Sequence, residues 1–226
     1  MCEQAYVLMR GDEYYLSTGL PFCTYSRLYA ELVRKDYAPE YGVVALREGG
    51  WIPIYGQREP EWKDRLLGYS PTYTIGRRGC LVCCGAMAVS GAYGEDITPV
   101  MFNERLKEVG GFVPGTADMY FGKVAEAYPK LKLSGLFRYP YPQNADLSKI
   151  DEGLEKGQYV IVQVDMDPRD IDVDQHWVLV KQKIRDGVYL ICDPWPGDQL
   201  ELPPAYCRAG WRAEHAIFSI VRYGGN

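Results

Sequence analysis

His176-Trp177-Val178-Leu179-Val180, then Lys181 to Gly187, then Val188-Tyr189-Leu190-Ile191-Cys192-Asp193: this segment decides the fold. Two apolar runs rich in β-branched and aromatic residues, parted by Asp186-Gly187, predict an antiparallel hairpin with strands His176–Ile184 and Val188–Asp193. A four-residue loop from Lys183 to Asp186, followed by Gly187, puts His176 opposite Asp193. The same register puts Val178 opposite Ile191 and Val180 opposite Tyr189. Facing side chains on an antiparallel pair lie about 5 Å apart at Cβ. At that distance a carboxylate can fix the tautomer and orientation of an imidazole. The competing reading of Asp193 is an ordinary aspartate in a capped turn.

Outward from the hairpin, Tyr159–Asp165 and Ala216–Tyr223 supply two more strand-like runs. Upstream lie four helical segments. Cys80–Tyr93 is small, apolar and stopped by Gly94. Thr98-Pro99 opens a helix to about Val109, with threonine as cap and proline in the first turn. Thr116–Tyr128 and Asp146–Lys156 follow, the latter closed by Gly157. Helices first and an antiparallel sheet afterwards predict an α+β fold. Residues 1–55 read as a small N-terminal extension and residues 56–226 as the main domain. In the extension, Tyr6–Met9 with Tyr14–Ser17 and Gly42–Leu46 with Trp51–Tyr55 predict two hairpins, and Thr24–Tyr37 a helix. No catalytic constellation stands out there.

The composition narrows the function. Hydrophobic residues make up 47 %, enough for a sizeable core, and the net charge is −5. There is no basic footprint for a phosphate backbone, so nucleic acid is not an expected partner. No apolar run approaches the roughly 20 residues of a membrane helix. The start, Met1-Cys2-Glu3-Gln4, lacks the features of a signal peptide, so a cytoplasmic protein without membrane attachment is expected. Seven cysteines, two of them adjacent at Cys83-Cys84, do not form an even disulfide framework. Reduced thiols are expected.

Cys80 is the strongest candidate nucleophile. Gly79 permits a tight turn before it, and the cysteine opens a predicted helix. The helix dipole, with Arg77 and Arg78 nearby, favours thiolate over thiol. The alternative is a buried structural cysteine. His176, at the mouth of its strand, can reach a cleft and serve as the base. His215 lacks a downstream carboxylate and reads as structural. Cys80 and Cys83 share a C-x-x-C spacing, but no second ligand pair accompanies it, so no metal site is expected. The acidic stretch Asp165–Asp174 misses the Ca²⁺-loop spacing and reads as a solvated loop. No cofactor is expected.

These residues also carry a resemblance. Tyr55-Gly56-Gln57-Arg58-Glu59-Pro60-Glu61-Trp62, Leu67-Gly68, Thr74-Ile75-Gly76 and Gly79-Cys80 resemble the opening of the double-glycine-leader-peptidase-like family of papain-fold cysteine peptidases. Ala86-Met87, Tyr93-Gly94, Ile97-Thr98-Pro99, Gly110-Gly111-Phe112, Gly157, Val160-Ile161-Val162, His176-Trp177-Val178 and Asp193-Pro194-Trp195 continue it, over about residues 55–222. The sequence departs from the family pattern at Cys83-Cys84, where a Thr-Ser pair is frequent, and in residues 1–55, which have no recognised counterpart. The sequence shows no transporter segment, so the export-coupled form of the family is not expected.

The resemblance implies a papain-like fold and a bacterial or phage setting. It implies a Cys80–His176–Asp193 triad, with Gln57 donating to an oxyanion hole beside the Cys80 amide. The 23-residue gap between Gln57 and Cys80 must then fold back; otherwise Gln57 is a loop residue. The expected activity is hydrolysis of a peptide or isopeptide bond in a peptide or protein substrate, cell-wall peptides included. Trp177 and Pro194-Trp195-Pro196 are expected to wall the cleft. A catalytically silent binding protein of the same fold and an acyltransferase or amidase are the alternatives.

Overall fold

The computed structural model describes strands within residues 5–46 and, beyond them, residues 52–140, 143–167, 175–203, 205–207 and 212–224. The chain divides into two compact units, Met1–Trp51 and Ile52–Asn226.

In the first unit, β1 (Ala5–Arg10) pairs antiparallel with β2 (Glu13–Tyr14), β5 (Cys23–Thr24) and β6 (Gly42–Leu46), while β3 (Leu16–Ser17) pairs with β4 (Leu20–Pro21). The expected hairpin between Gly42–Leu46 and Trp51–Tyr55 does not form. β6 takes β1 as its partner, and residues 52–55 carry no strand, where Pro53 lacks the N–H a ladder needs. The helix expected over Thr24–Tyr37 lies outside the described residues except at Thr24, which belongs to β5.

The second unit is α+β, as its order of elements predicts. A short helix, α1 (Ile75–Arg78), leads through Gly79 into α2 (Cys80–Tyr93), which ends on a left-handed Gly94. α3 (Pro99–Glu108) starts from Thr98, whose hydroxyl accepts a hydrogen bond from the Met101 amide. The helix expected over Thr116–Tyr128 shrinks to a 3₁₀ turn, Phe121–Lys123, and the single turn α4 (Val124–Ala127). Upstream, the Thr116 hydroxyl bonds Val113 O and the Asp118 amide, and Met119 bridges to Phe112. Threonine thus satisfies the local backbone in a turn rather than in a helix. α5 (Ser148–Glu155) follows.

The sheet has six antiparallel strands in the order β11-β10-β9-β8-β12-β7. These are β7 (Lys132–Arg138), β8 (Tyr159–Asp165), β9 (Gln175–Arg185), β10 (Val188–Asp193), β11 (Asp198–Leu202) and β12 (Ile217–Gly224). β12, last in chain order, is inserted between β8 and β7. Alternation along the strands sends two sets of apolar side chains to opposite faces. Ile161, Leu179, Cys192 and Val221 pack with the α2–α4 layer, including Met87, Phe102 and Leu106. Val160, Val162, Val178, Val180, Ile191 and Ile220 pack with Ile150 of α5, Tyr189 and Tyr206. No helix among the described residues is long and apolar enough to cross a membrane.

The decisive hairpin forms with a different register. Its turn is only Asp186-Gly187, with Val188 opposite Arg185, and two β-bulges follow. Ile191 therefore faces Val180 and Cys192 faces Leu179. Extended by one pair, this register sets Asp193 beside Val178, two residues from His176. A shift of two keeps the same face, because side chains alternate with a period of two. The pair survives as a diagonal rather than a direct neighbour.

Candidate active site

Cys80 is the first residue of α2, and Gly79 is why it can be there. A Cβ at Gly79 would lie 2.4 Å from the Ile75 carbonyl oxygen, so only glycine lets α1 run directly into α2. Cys80 is 8 % exposed and lines a cleft of about 1490 Å³ together with Gln57, His176, Trp177 and Trp195. As the opening residue of a helix, its backbone N–H has no acceptor within that helix.

His176 and Asp193 are both buried, and Nε2 lies 2.7 Å from Asp193 Oδ1. An ionised carboxylate only accepts, so Nε2 carries the proton and Nδ1 is left for the thiol. Burial pulls the His176 pKa down. The hydrogen bond to Asp193, and then the hydrogen bond and charge of Cys80, overcome it and push the value up to about 9. Asp193 holds two further donors: the Trp195 amide to Oδ1 at 2.9 Å, and the Tyr206 hydroxyl to Oδ2. Burial, then the charge of Asp193, raise the Tyr206 pKa, so the phenol stays a donor. Its ring tilts against the imidazole at 5.4 Å between centroids.

Sequence reasoning missed Tyr206. It lies outside every motif, in the segment after β11, and only the folded chain brings it under the carboxylate. Pro203-Pro204-Ala205-Tyr206 signals a turn but not its partner.

Gln57 is 2 % exposed and belongs to the same cleft. The gap to Cys80 does fold back: Lys63 O and Arg65 O accept from the amides of Gly76 and Ile75, and Leu66 bridges to Thr74. The Gln57 amide nitrogen donates one hydrogen to Gly76 O at 3.1 Å, which leaves its second hydrogen. The oxygen of that amide is buried without a partner. From the other side, the Gln57 backbone N–H donates to Pro194 O at 2.7 Å. The turn that carries Asp193 is therefore bonded to the residue proposed for the oxyanion. Arg58 stacks on Trp195, 3.2 Å from the ring centroid. Of the expected cleft walls, Trp177 and Trp195 line it and Pro194 and Pro196 do not.

The remaining candidates go elsewhere. His215 accepts from the Arg212 amide through Nδ1 at the short helix α6 (Ala213–Ala216) and is not a cleft residue. Cys83 and Cys84 are fully buried. Burial, then the charge of Cys80, raise both thiol pKa values, and Cys84 donates to Trp177 O. Burial, then Glu214, push Cys207 up to about 12. These thiols are poor nucleophiles at neutral pH. Under limiting iodoacetamide at pH 7.5, Cys80 is therefore expected to be alkylated well before Cys83, Cys84 and Cys207, as read by peptide mass spectrometry. Equal labelling of the four would remove Cys80's distinction. Among the described residues no group of three or more histidines, cysteines and carboxylates is gathered as a metal cluster would require.

No protein-family model matches this chain, and no curated protein matches it either.

Proposed function

We propose that the chain is a cysteine hydrolase of papain-like architecture that cleaves peptide or isopeptide bonds through an acyl-enzyme. One observation carries the reading: a buried His176–Asp193 pair, 2.7 Å apart, shares a cleft with a cysteine at a helix tip. The helical layer supplies the sulfur and the sheet supplies the imidazole and its carboxylate, in keeping with the resemblance of the sequence.

In the first half-reaction the proton shared by Cys80 and His176 rests on Nδ1 of the ring and the sulfur attacks the carbonyl carbon. The carbonyl π electrons move to oxygen, which the Cys80 N–H and the second Gln57 amide hydrogen stabilise. One such donor is worth about 3 kcal/mol in a water-poor site. The intermediate collapses as His176 protonates the leaving nitrogen and the C–N bond breaks. Water, deprotonated by the same histidine, then attacks the thioester, releases the acid and restores Cys80.

The test is to incubate the protein with a peptide library, quench with acid and search intact-mass spectra for acylated protein. The reading expects the adduct on Cys80 and shortened peptides in solution. Cleavage without any acylated Cys80, or no cleavage at all, would sink it.

A pH dependence follows. His176 must be protonated to supply the leaving group, and its folded-state pKa is raised to about 9. Activity is expected to hold towards the alkaline side and to fall as pH climbs through about 9. The imidazolium's contribution to stability has the same sign. It is fully present below 6.5, the ordinary value, and is lost as pH rises through about 9. A limb near 6.5 in the rate profile would show that the pair does not hold the proton.

A further inference from the structure

The cleft extends well beyond the thiol, along the helix-facing side of the sheet. Part of its floor is a row across four strands. Trp177 on β9 faces Gln163 on β8, Gln163 faces Ser219 on β12, and Ser219 faces Arg138 on β7. Directly opposed residues point to the same side of a sheet, and all four line the cleft. Strands lie about 4.8 Å apart, so Arg138 stands roughly 14 Å from Trp177, the neighbour of His176.

The polar atoms of this row are donors. The Ser219 hydroxyl donates to Gln163 Oε1 at 2.8 Å, which occupies the carboxamide's oxygen and leaves its N–H groups. Arg138 is exposed and adds a guanidinium. Arg77 and Arg78 stand in the cleft beside Cys80, the latter 4.4 Å over the Tyr73 ring. Among the described residues of the lining Asp118 is the one carboxylate, so these four side chains sum to +2, within a chain whose net charge is −5. The arginine ion pairs among the described residues belong to Arg105, Arg212 and Arg222, not to these three.

We infer that the cleft is built for an acidic peptide, with a carboxylate about four residues from the scissile bond held by Arg138 and the Gln163 amide. The spacing follows from the extended chain: at about 3.4 Å per residue, roughly 14 Å is four residues. A guanidinium and a carboxamide offer parallel N–H donors, which suit a carboxylate and leave a neutral or basic side chain unmatched. The inference rests on the hydrolase reading for the position of the bond, but not for the charge of the ligand.

The test scans a single glutamate through an otherwise neutral eight-residue peptide, each with its glutamine counterpart. Binding to the Cys80→Ala protein is followed by fluorescence anisotropy at low and high salt, and cleavage by the unmodified protein is followed in parallel. At one position glutamate is expected to bind about tenfold tighter than glutamine, an advantage that shrinks in salt. Arg138→Gln should erase that advantage, and Arg138→Glu should turn it into a preference for lysine. Equal binding of the pair, a preference that survives Arg138→Gln, or no binding at millimolar peptide would overturn the inference. A glutamate preference lost in Arg138→Gln, with no peptide cleaved, would support the acidic ligand while removing the hydrolase reading.

Discussion

Cys80→Ala is expected to lower turnover by on the order of a millionfold while leaving the fold in place. The size follows from how triads behave. Nucleophile and base act as one unit, and losing either removes nearly all the covalent catalysis. Residual hydrolysis would come only from binding and the oxyanion donors. The structural cost is small, because the substitution removes one sulfur from a position at the edge of the cleft. Thermal unfolding should shift by only a few degrees. The same variant also reads out the coupling within the site. Cys80 contributes to the raised His176 pKa through both hydrogen bonding and charge, so its loss should bring the imidazole titration down from about 9. NMR titration of the ring measures this directly. Turnover that persists in the alanine variant, or an imidazole that does not move, would contradict the mechanism.

Asp193→Ala is expected to cost 10³- to 10⁴-fold in kcat, the order seen when a triad histidine loses its orienting group. It also leaves the Tyr206 hydroxyl and the Trp195 amide without their acceptor, at about 1–3 kcal/mol each where water cannot reach them. Lower stability should therefore accompany the lost activity. Asp193→Asn separates the two effects. An amide oxygen in place of Oδ1 still accepts from Nε2 and from the Trp195 amide, while its nitrogen can only donate to the Tyr206 oxygen and leaves the phenol hydrogen without its acceptor. The tautomer is kept, and the charge and one hydrogen bond go. This variant should keep more activity than alanine, unfold between alanine and the parent, and show its alkaline limb displaced to lower pH. If alanine and asparagine were equally impaired, orientation would not be what Asp193 provides.

Much of this was legible before any coordinates. The order of helical and strand-like segments predicted the α+β class, and α2, α3, α5 and four strands fall close to their expected bounds. Where the reading failed, the reasons are local. β7 was missed because Lys132-Leu133-Ser134-Gly135-Leu136-Phe137-Arg138 mixes polar and apolar residues without strict alternation, as a largely exposed edge strand does. The hairpin register was misjudged because bulges leave no signature in composition, yet the His176–Asp193 pair tolerates the error since parity is preserved. Thr116–Tyr128 misled because a threonine that caps a turn looks the same in sequence as one that opens a helix. Tyr206 was out of reach because its partnership with Asp193 depends on how the segment after β11 returns across the sheet.

The placement of β12 has a consequence for synthesis. A ribosome delivers the sulfur-bearing helix early, the imidazole and carboxylate about a hundred residues later, and the strand that joins β8 to β7 later still. Until that strand arrives, the sheet has a gap between β8 and β7, and the long-range pairings that close it are the slow part of folding. An emerging polypeptide therefore carries the Cys80 thiol well before the sheet that holds His176 and Asp193 is closed.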